Sequence, residues 1–217
     1  MRVVTVTGNV TQLTRYRFVN CFLVREEDGL TLVDTAMKAA EQILAVADVP
    51  VRRIALTHGH GDHVGSLDDL KARLGGDVEV LMPEIDAQIH AGEREKTKGS
   101  WPTLTTAPDV RLAPGDRIGS LEVVASPGHT PGHVSFLDTR DRTLIGGDVF
   151  TSYGGVEVTN HFHLRFPLAA MATEDKAQDL ESARALRALE PSVLLVGHGP
   201  VVHDPAAAID AAIARAT

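Results

Sequence analysis

The feature that most constrains this chain is a seven-residue segment, residues 57–63, which reads THGHGDH. Three imidazoles and one carboxylate lie within six consecutive positions, and two glycines separate the first three of these side chains. An ordinary surface loop gains no stability from placing several imidazoles and a carboxylate, whose dipoles and partial charges repel one another, so close together. We therefore interpret the segment as a metal-binding loop.

The residues on either side place this segment between a strand and a helix. Residues 54–56 are apolar, and apolar side chains recur at helical spacing across residues 64–74. Loops at the ends of such elements commonly carry functional groups. The pattern predicts that the strand delivers the loop and that the helix follows it directly.

The spacing of the four side chains is compatible with two metal ions. Alternate side chains of an extended segment point the same way, so His58 and His60 can bind one cation. Gly59 allows the backbone to turn tightly there without adding bulk between the ligands. Asp62 and His63 are expected at the start of the helix, aimed away from the first pair. We therefore predict two adjacent metals.

Length and composition predict one globular domain over residues 1–217. A chain of 217 residues can bury one substantial core. Its hydrophobic fraction of 43% and charged fraction of 23% are ordinary for such a protein, whereas the aromatic fraction of 4% is low. Small aliphatic side chains are therefore expected to fill the core.

Charge and the termini exclude several partners. The formal net charge is −8 and no dense cluster of Lys and Arg occurs, so we expect no nucleic-acid partner. Residues 1–7 alternate like a strand, and no stretch is long and apolar enough for a membrane span. We therefore expect that the protein is neither secreted nor inserted into a membrane. Cys21 cannot form an internal disulfide and lies in an apolar run, which favours a buried thiol over a reactive one. We expect a cytoplasmic protein, and the sequence carries no indication of its oligomeric state.

Strands and helices are predicted in both halves of the chain, which suggests two sheets packed face to face with helices outside. The predicted strands cover residues 2–7, 17–24, 30–34, 52–56, 78–82, 110–112, 121–126, 133–138, 143–147 and 192–196. The predicted helices cover residues 36–47, 64–74, a segment beginning at Pro83, 174–189 with Thr173 as its cap, and 205–216. Residues 92–108 are predicted to form a long surface loop.

Further candidate ligands follow apolar strands later in the chain. His129 lies beyond strand 121–126, Asp148 follows residues 144–147, and His198 follows residues 193–197. A single Gly-Gly-Asp or Gly-His-Gly is most often turn chemistry. The repeated placement of such side chains after apolar strands predicts that the three belong to one site with the histidine-rich loop.

With these residues in place, the chain resembles the metallo-β-lactamase superfamily, whose HxHxDH signature residues 58–63 match. The resemblance implies an α/β fold, a four-layer αββα sandwich with the metals at one edge. It also implies two ligand sets: His58, His60 and His129 for the first ion, Asp62, His63 and His198 for the second, and Asp148 as the bridge between them. The complete set is similar to that of the glyoxalase II-like and lactonase-like branches.

The donor types are compatible with several metals. Imidazole and carboxylate suit zinc, our leading prediction, and they also suit iron, manganese and cobalt. Asp34 either orients a ligand histidine through its other ring nitrogen or has a simple role at the strand end.

The chemistry that the resemblance implies is metal-assisted hydrolysis of a small molecule. Metal binding can lower the pKa of water from ~15.7 to about 7, which supplies a metal-bridging hydroxide that attacks an ester, thioester or lactone carbonyl. Asp62 or Asp148 would accept the proton. Tyr153 either donates to the developing oxyanion or packs within its loop.

Alternatives remain open for the reaction and for several side chains. A mononuclear iron persulfide dioxygenase-like oxidoreductase, a β-lactam or phosphodiester hydrolase on the same scaffold, and a non-catalytic metal-binding module are the other hypotheses. Trp101 either packs on the protein body or lines a pocket, and His161 and His163 either contact substrate or are structural. His133 is predicted to support its own turn, whereas His90 and His203 receive no role.

Overall fold

The strand that delivers the histidine-rich loop lies inside a seven-stranded sheet. The computed structural model describes residues 1–217 and divides into two units. Unit 1 comprises residues 1–95 and 100–112, and unit 2 comprises residues 96–99 and 113–217. Each unit has its own sheet and its own buried core. The single domain predicted over residues 1–217 stays a prediction.

The sheet of unit 1 keeps its strands in sequence order. Its strands are β1 (Arg2–Thr5), β2 (Val10–Arg15), β3 (Val19–Glu26), β4 (Gly29–Val33), β5 (Val51–Ala55), β6 (Glu79–Pro83) and β7 (Val110–Leu112). The pairings from β1 to β4 are antiparallel, and those from β4 to β7 are parallel. The carboxyl ends of β4, β5 and β6 therefore meet at one edge, where open α/β sheets typically bind ligands.

Four helices complete unit 1: α1 (Ala40–Val46), α2 (Gly61–Val64), α3 (Leu67–Leu74) and α4 (Glu84–His90). Strands β3 and β4 are buried along almost their whole length, as expected for strands covered on both faces. The core joins β3–β6 to α1 and α3 through aliphatic side chains that include Leu32, Ile43, Ile54, Leu70 and Met82. The low aromatic content is thus consistent with an aliphatic core.

Three predictions for unit 1 require correction. Strand β2 was not predicted, because its buried Gln12 breaks the apolar pattern and is held instead by Asn20 Oδ1 at 3.1 Å. The helix predicted from residue 36 begins at Ala40, because Ala36 and Lys38 have positive φ. The helix predicted over 64–74 is two helices, α2 and α3. The expected place of Asp62 and His63 at a helix start is confirmed by α2.

Unit 2 contains eight strands and three helices. They are β8 (Arg117–Ile118), β9 (Leu121–Ala125), β10 (Val134–Asp138), β11 (Thr143–Ile145), β12 (Phe150–Thr151), β13 (Glu157–Val158), α5 (Pro167–Ala172), α6 (Lys176–Ala188), β14 (Val193–Leu195), β15 (Val202–His203) and α7 (Ala206–Ala216). Six strands form a sheet in the order β15-β14-β11-β10-β9-β8, whereas β12 and β13 pair separately. Strands β11 and β14 run parallel, so Asp148 and His198 follow strand ends at the same edge.

The core of unit 2 joins β11 and β14 to α6 and α7 through side chains that include Leu144, Leu194, Ala183, Leu186 and Ile209. The predicted cap of α6 was wrong. Asp175 caps this helix, and its Oδ1 accepts hydrogen bonds from the backbone N–H groups of Ala177 and Gln178, both at 3.0 Å. Helix α5 was also missed.

No helix of the chain combines the length and the apolar character that a membrane span requires. The cytoplasmic location stays a prediction.

We expect Asp175→Ala to lower the free energy of unfolding by about 1 kcal/mol, because two N–H groups in the first turn of α6 lose their acceptor. Asp175→Asn is the matched control, since its amide oxygen can still accept those bonds. Urea denaturation followed by circular dichroism measures the difference. Equal losses in the two variants would show that the cap does not contribute.

Candidate metal centre

Four of the predicted ligands meet in unit 1, with His58 and His60 in the loop after β5 and Asp62 and His63 in the first turn of α2. His60 has an extended backbone and is the N-cap of α2, so the chain passes from the strand into the helix within the ligand set. The ring centroid of His58 lies 4.8 Å from that of His60 and 4.1 Å from that of His63. The ligand atoms of His58 lie within 4.8 Å of those of His60 and His63, as do those of Asp62 and His63. All three histidines are buried.

A buried carboxylate, Asp34 at the end of β4, holds both ends of this loop. It accepts hydrogen bonds from the backbone N–H and the hydroxyl of Thr57, each at 2.8 Å. It also lies 2.8 Å from Nδ1 of His63. With Nδ1 donating to the carboxylate, Nε2 of His63 carries the lone pair that a metal requires. Of the two roles considered for Asp34, the structure supports the orientation of a ligand histidine.

Thr57 extends the same network to His58. Its hydroxyl donates to Asp34, so its oxygen is available to accept from Nδ1 of His58 at 3.0 Å. This arrangement directs Nε2 of His58 away from the network, as for His63. One carboxylate thus fixes the orientation of two histidines, one directly and one through a hydroxyl. Sequence reasoning missed Thr57 because a hydroxyl beside a histidine is too common to be a signal.

Three side chains beyond the loop hold Gly59 in place. Its N–H donates to Oδ2 of Asp86 at 2.8 Å, and its carbonyl oxygen accepts from Nε2 of His90 at 2.9 Å. The Trp101 ring lies 5.2 Å from the rings of both His60 and His90. His90, for which no role was predicted, therefore supports the ligand loop, and Trp101 packs against His60 and His90. The only available signal for Asp86 was its position just after β6, at the edge shared with Asp34.

The remaining three predicted ligands meet in unit 2. Oδ2 of Asp148 lies 3.4 Å from Nε2 of His129 and 3.2 Å from Nε2 of His198. All three side chains are buried. Two imidazoles thus direct the same ring nitrogen toward one carboxylate oxygen.

Neutral groups orient His129 and the backbone of Asp148. Nδ1 of His129 lies 3.0 Å from the hydroxyl of Thr173, which can donate onward to the carbonyl oxygen of Ala169 at 2.9 Å. Nε2 of His133 accepts from the N–H of Asp148 at 3.0 Å, and its Nδ1 lies 2.9 Å from the hydroxyl of Ser126. His133 therefore holds a predicted ligand as well as its own turn. Thr173, predicted as a helix cap, instead contacts a predicted ligand.

A second buried acid lies behind Asp148. Burial raises the pKa of the Asp179 carboxyl well above its usual range, and the charges of Asp148 and Asp175 act in the same direction. The hydroxyl of Thr159 donates to the carbonyl oxygen of Asp148 at 2.6 Å and lies 3.1 Å from Oδ2 of Asp179. A hydroxyl has one hydrogen, so Thr159 can donate to only one of these two oxygens at a time.

The other candidates occupy less central positions. Tyr153 is partly exposed, with its ring 5.3 Å from that of Phe166, which in turn lies 4.6 Å from the ring of His198. Nε2 of His161 and of His163 lie 3.5 Å and 3.8 Å from the carboxylate of Glu157. His203 is exposed on β15.

Cys21 is buried within β3, as predicted. Burial raises the pKa of its thiol, with a smaller contribution from the charge of Asp34. The thiol form therefore persists, which is the inert behaviour expected of a structural cysteine.

The donor chemistry of both clusters fits a divalent metal. Imidazole nitrogen and carboxylate oxygen are ligands of zinc, iron and manganese. His58, His63 and His129 each have a hydrogen-bond partner at Nδ1, which is the second-layer support typical of metal-binding histidines.

We expect Gly59→Ala to weaken metal binding. An added Cβ would meet the Trp101 ring and lie 2.7 Å from Nε2 of His90, so the loop must shift between two ligands. Gly76→Ala is the matched control, because a Cβ there meets nothing within 4 Å. Metal content after dialysis, measured by mass spectrometry, should fall only in the first variant. Full metal content in Gly59→Ala would show that the loop tolerates a methyl group beside Trp101 and His90.

We expect Asp34→Asn to lower metal affinity by roughly 10- to 100-fold, the usual effect of removing a carboxylate that orients a ligand histidine. Asparagine tolerates the left-handed backbone at this position, where φ is 58°, so the change tests the charge rather than the turn. Competition with a chromogenic chelator measures the affinity. Asp48→Asn, which removes an exposed carboxylate, should leave it unchanged.

The sequence profile of the metallo-beta-lactamase superfamily matches residues 14–198, a span that includes all seven predicted ligands. YobT of Bacillus subtilis (strain 168), an uncharacterised protein, is 40% identical over 211 residues, which cover 91% of this chain and 90% of YobT. The probable metallo-hydrolase YybB of the same strain is 26% identical, with 83% of this chain and 80% of YybB covered.

A hydroxyacylglutathione hydrolase of Stenotrophomonas maltophilia (strain R551-3) is 32% identical over 151 residues. That match covers 67% of this chain and 51% of the hydrolase.

Solved structures establish the fold. A metallo-beta-lactamase from Pontibacter korlensis superposes with a TM-score of 0.74 at 21% identity, covering 99% of this chain and 98% of that one. TTHA1623, crystallised in a di-iron-bound form, gives a TM-score of 0.68 at 24% identity, with 95% and 96% covered. These likenesses confirm the predicted α/β fold class. The chain belongs to the metallo-β-lactamase superfamily.

Proposed function

We propose that the chain is a binuclear metal-dependent hydrolase that acts on a small molecule. The observation that carries the proposal is the complete donor set, with four ligands after β5 and three in unit 2 within a matched superfamily whose members are mostly metal-dependent hydrolases. The proposed ligands are those that the resemblance implies: His58, His60 and His129 for one ion, Asp62, His63 and His198 for the other, with Asp148 between them.

Zinc is the proposed metal, because imidazole-rich sites with carboxylates suit it well. Iron and manganese bind the same donors, and the di-iron form of TTHA1623 makes iron the main alternative. Metal analysis therefore belongs in any test of activity.

When bound, the ions would polarise the substrate carbonyl and lower the pKa of water from ~15.7 to about 7. The residues of the chain then position the reacting groups. Asp34 and Thr57 keep two histidines in the required tautomer. Asp62 is the more accessible of the two candidate proton acceptors, because its side chain is 28% exposed whereas that of Asp148 is 3% exposed. Tyr153 is proposed to donate its hydroxyl hydrogen to the developing oxyanion.

An ester, thioester or lactone is the proposed substrate class. The name of the Stenotrophomonas relative specifies hydrolysis of an acylated glutathione, which is a thioester. The present chain spans about half of that protein, so the thioester bond, rather than the glutathione group, is what we carry over to the proposal.

The deciding experiment couples metal analysis to a panel of esters, thioesters, lactones, phosphodiesters and β-lactams. We expect hydrolysis of a carbonyl substrate with about two ions per chain, complete loss on chelation, and recovery when zinc is restored. Asp148→Ala should reduce kcat/KM by at least about 100-fold. Loss of a residue that only supports a metal ligand typically costs about 10- to 100-fold, and loss of a ligand itself should cost at least as much.

Asp210→Ala, which changes an exposed carboxylate of α7, is the matched control and should retain activity. Hydrolysis that survives both chelation and Asp148→Ala would refute the proposal. One iron per chain together with oxygen consumption on a persulfide would replace it with an oxidoreductase.

A further inference from the structure

Unit 2 carries an exposed apolar surface between β13 and α6. Phe162, Leu164, Leu168 and Met171 are 59%, 87%, 59% and 66% exposed, and we call these four side chains the apolar patch. They account for four of the six large exposed apolar residues of the chain. Such residues are ordinary when scattered over a surface, and these four lie within the ten consecutive residues 162–171.

The residues that flank α5, the helix that carries Leu168 and Met171, contact predicted metal ligands. The ring of Phe166, just before α5, lies 4.6 Å from that of His198. Thr173, just after α5, contacts Nδ1 of His129 at 3.0 Å. A helix of six residues is about 9 Å long, so the side chains of α5 lie within roughly that distance of both contacts.

Only one face of α5 packs against the protein. Ala169 and Ala170 are buried, whereas Leu168 and Met171 are exposed and lie three residues apart, on the same helical face. An amphipathic helix whose inner face carries only alanines would be expected to turn its larger side chains inward for stability. Here the larger side chains point outward.

The segment before α5 is held by charged contacts. The carboxylate of Glu157 lies near Nε2 of His161 and His163, and 3.0 Å from a guanidinium nitrogen of Arg215. The neighbouring Phe162 and Leu164 are exposed. Polar contacts thus hold His161 and His163, while the apolar side chains beside them face solvent.

The composition of the segment suits an uncharged ligand. Residues 161–172 contain no carboxylate and only one cationic residue other than histidine, Arg165, in a chain whose net charge is −8. Four side chains offer on the order of 400 Å². A stable interface with a second protein buries about 800 Å² on each partner, so a small apolar ligand fits the patch better.

We infer that the apolar patch binds the alkyl or acyl chain of the substrate while its carbonyl group lies at the metal centre. This inference rests on the proposed hydrolase function and specifies its substrate class as medium-chain rather than acetyl-sized compounds.

The kinetic test compares 4-nitrophenyl octanoate with 4-nitrophenyl acetate, using the zinc-loaded protein. The double variant Leu168→Gln with Met171→Gln removes the apolar groups but keeps helix-forming residues. Its kcat/KM for the octanoate should fall about tenfold, as when roughly two methylene groups lose an apolar contact, and that for the acetate should stay within about twofold. Val3→Thr, at an exposed apolar position in unit 1, is the control and should change neither value.

A binding measurement keeps this inference separate from hydrolysis. In calorimetry with the zinc-loaded protein, octanoate should bind about tenfold more tightly than acetate, and the double variant should lose that preference. If no ester is hydrolysed but the preference and its loss are observed, the hydrolase proposal fails, whereas the binding of an alkyl chain by the apolar patch stands.

Octanoate binding no tighter than acetate, or a preference that the double variant retains, overturns the inference. Sedimentation velocity, which measures the oligomeric state, tests whether a second copy of this chain covers the patch instead. A wild-type dimer that the double variant converts to monomer, with the chain-length preference unchanged, would assign the patch to a second copy of this chain.

Discussion

The structure of the metal-binding loop depends on one buried carboxylate, that of Asp34. A charge removed from water is costly unless hydrogen bonds match it, and here Thr57 and His63 provide them from opposite ends of the loop. The pairing therefore fixes the end of β4, the start of the loop and the last of its histidines together. The hydrogen bond from His63 to Asp34 therefore orients this ring within the loop.

The two clusters use different acceptors for the same purpose. His63 donates to a carboxylate, whereas His129 contacts the neutral hydroxyl of Thr173. A charged acceptor raises the basicity of an imidazole more than a hydroxyl does. The two histidines therefore differ in the partner of Nδ1, although both are buried.

Most functional residues of both units come after strands that run parallel to a neighbour. Asp34, the histidine-rich loop and Asp86 follow β4, β5 and β6 in unit 1, and Asp148 and His198 come after β11 and β14 in unit 2. His129 is the exception, because it follows β9, whose pairings are antiparallel. For the predicted ligands, the apolar strand before each one was the signal in the sequence.

The ligand candidates and the fold class could be predicted from the sequence because spacing and strand patterns are local. The supports of the loop could not. Asp86 and His90 reach Gly59 from 27 and 31 residues away, and their side-chain types are ordinary for a surface helix. Helix α1 was predicted too long because nothing in the residue type of Ala36 indicates a left-handed backbone.

Strand β2 was missed for a related reason. Its buried Gln12 is stabilised by a partner in the adjacent strand, which periodicity along one segment does not reveal. Thr173 illustrates the opposite error, in which a residue suited to capping a helix has a different partner in space. In both cases the deciding interaction joins residues that are distant in sequence.

The thiol of Cys21 has one more consequence. Because it is the only sulfhydryl of the chain and lies fully inside the sheet of unit 1, a maleimide or aromatic disulfide reagent can modify it only when β3 is transiently opened. The rate at which Cys21 is modified would therefore report how often that sheet opens, and no engineered label is required to measure it.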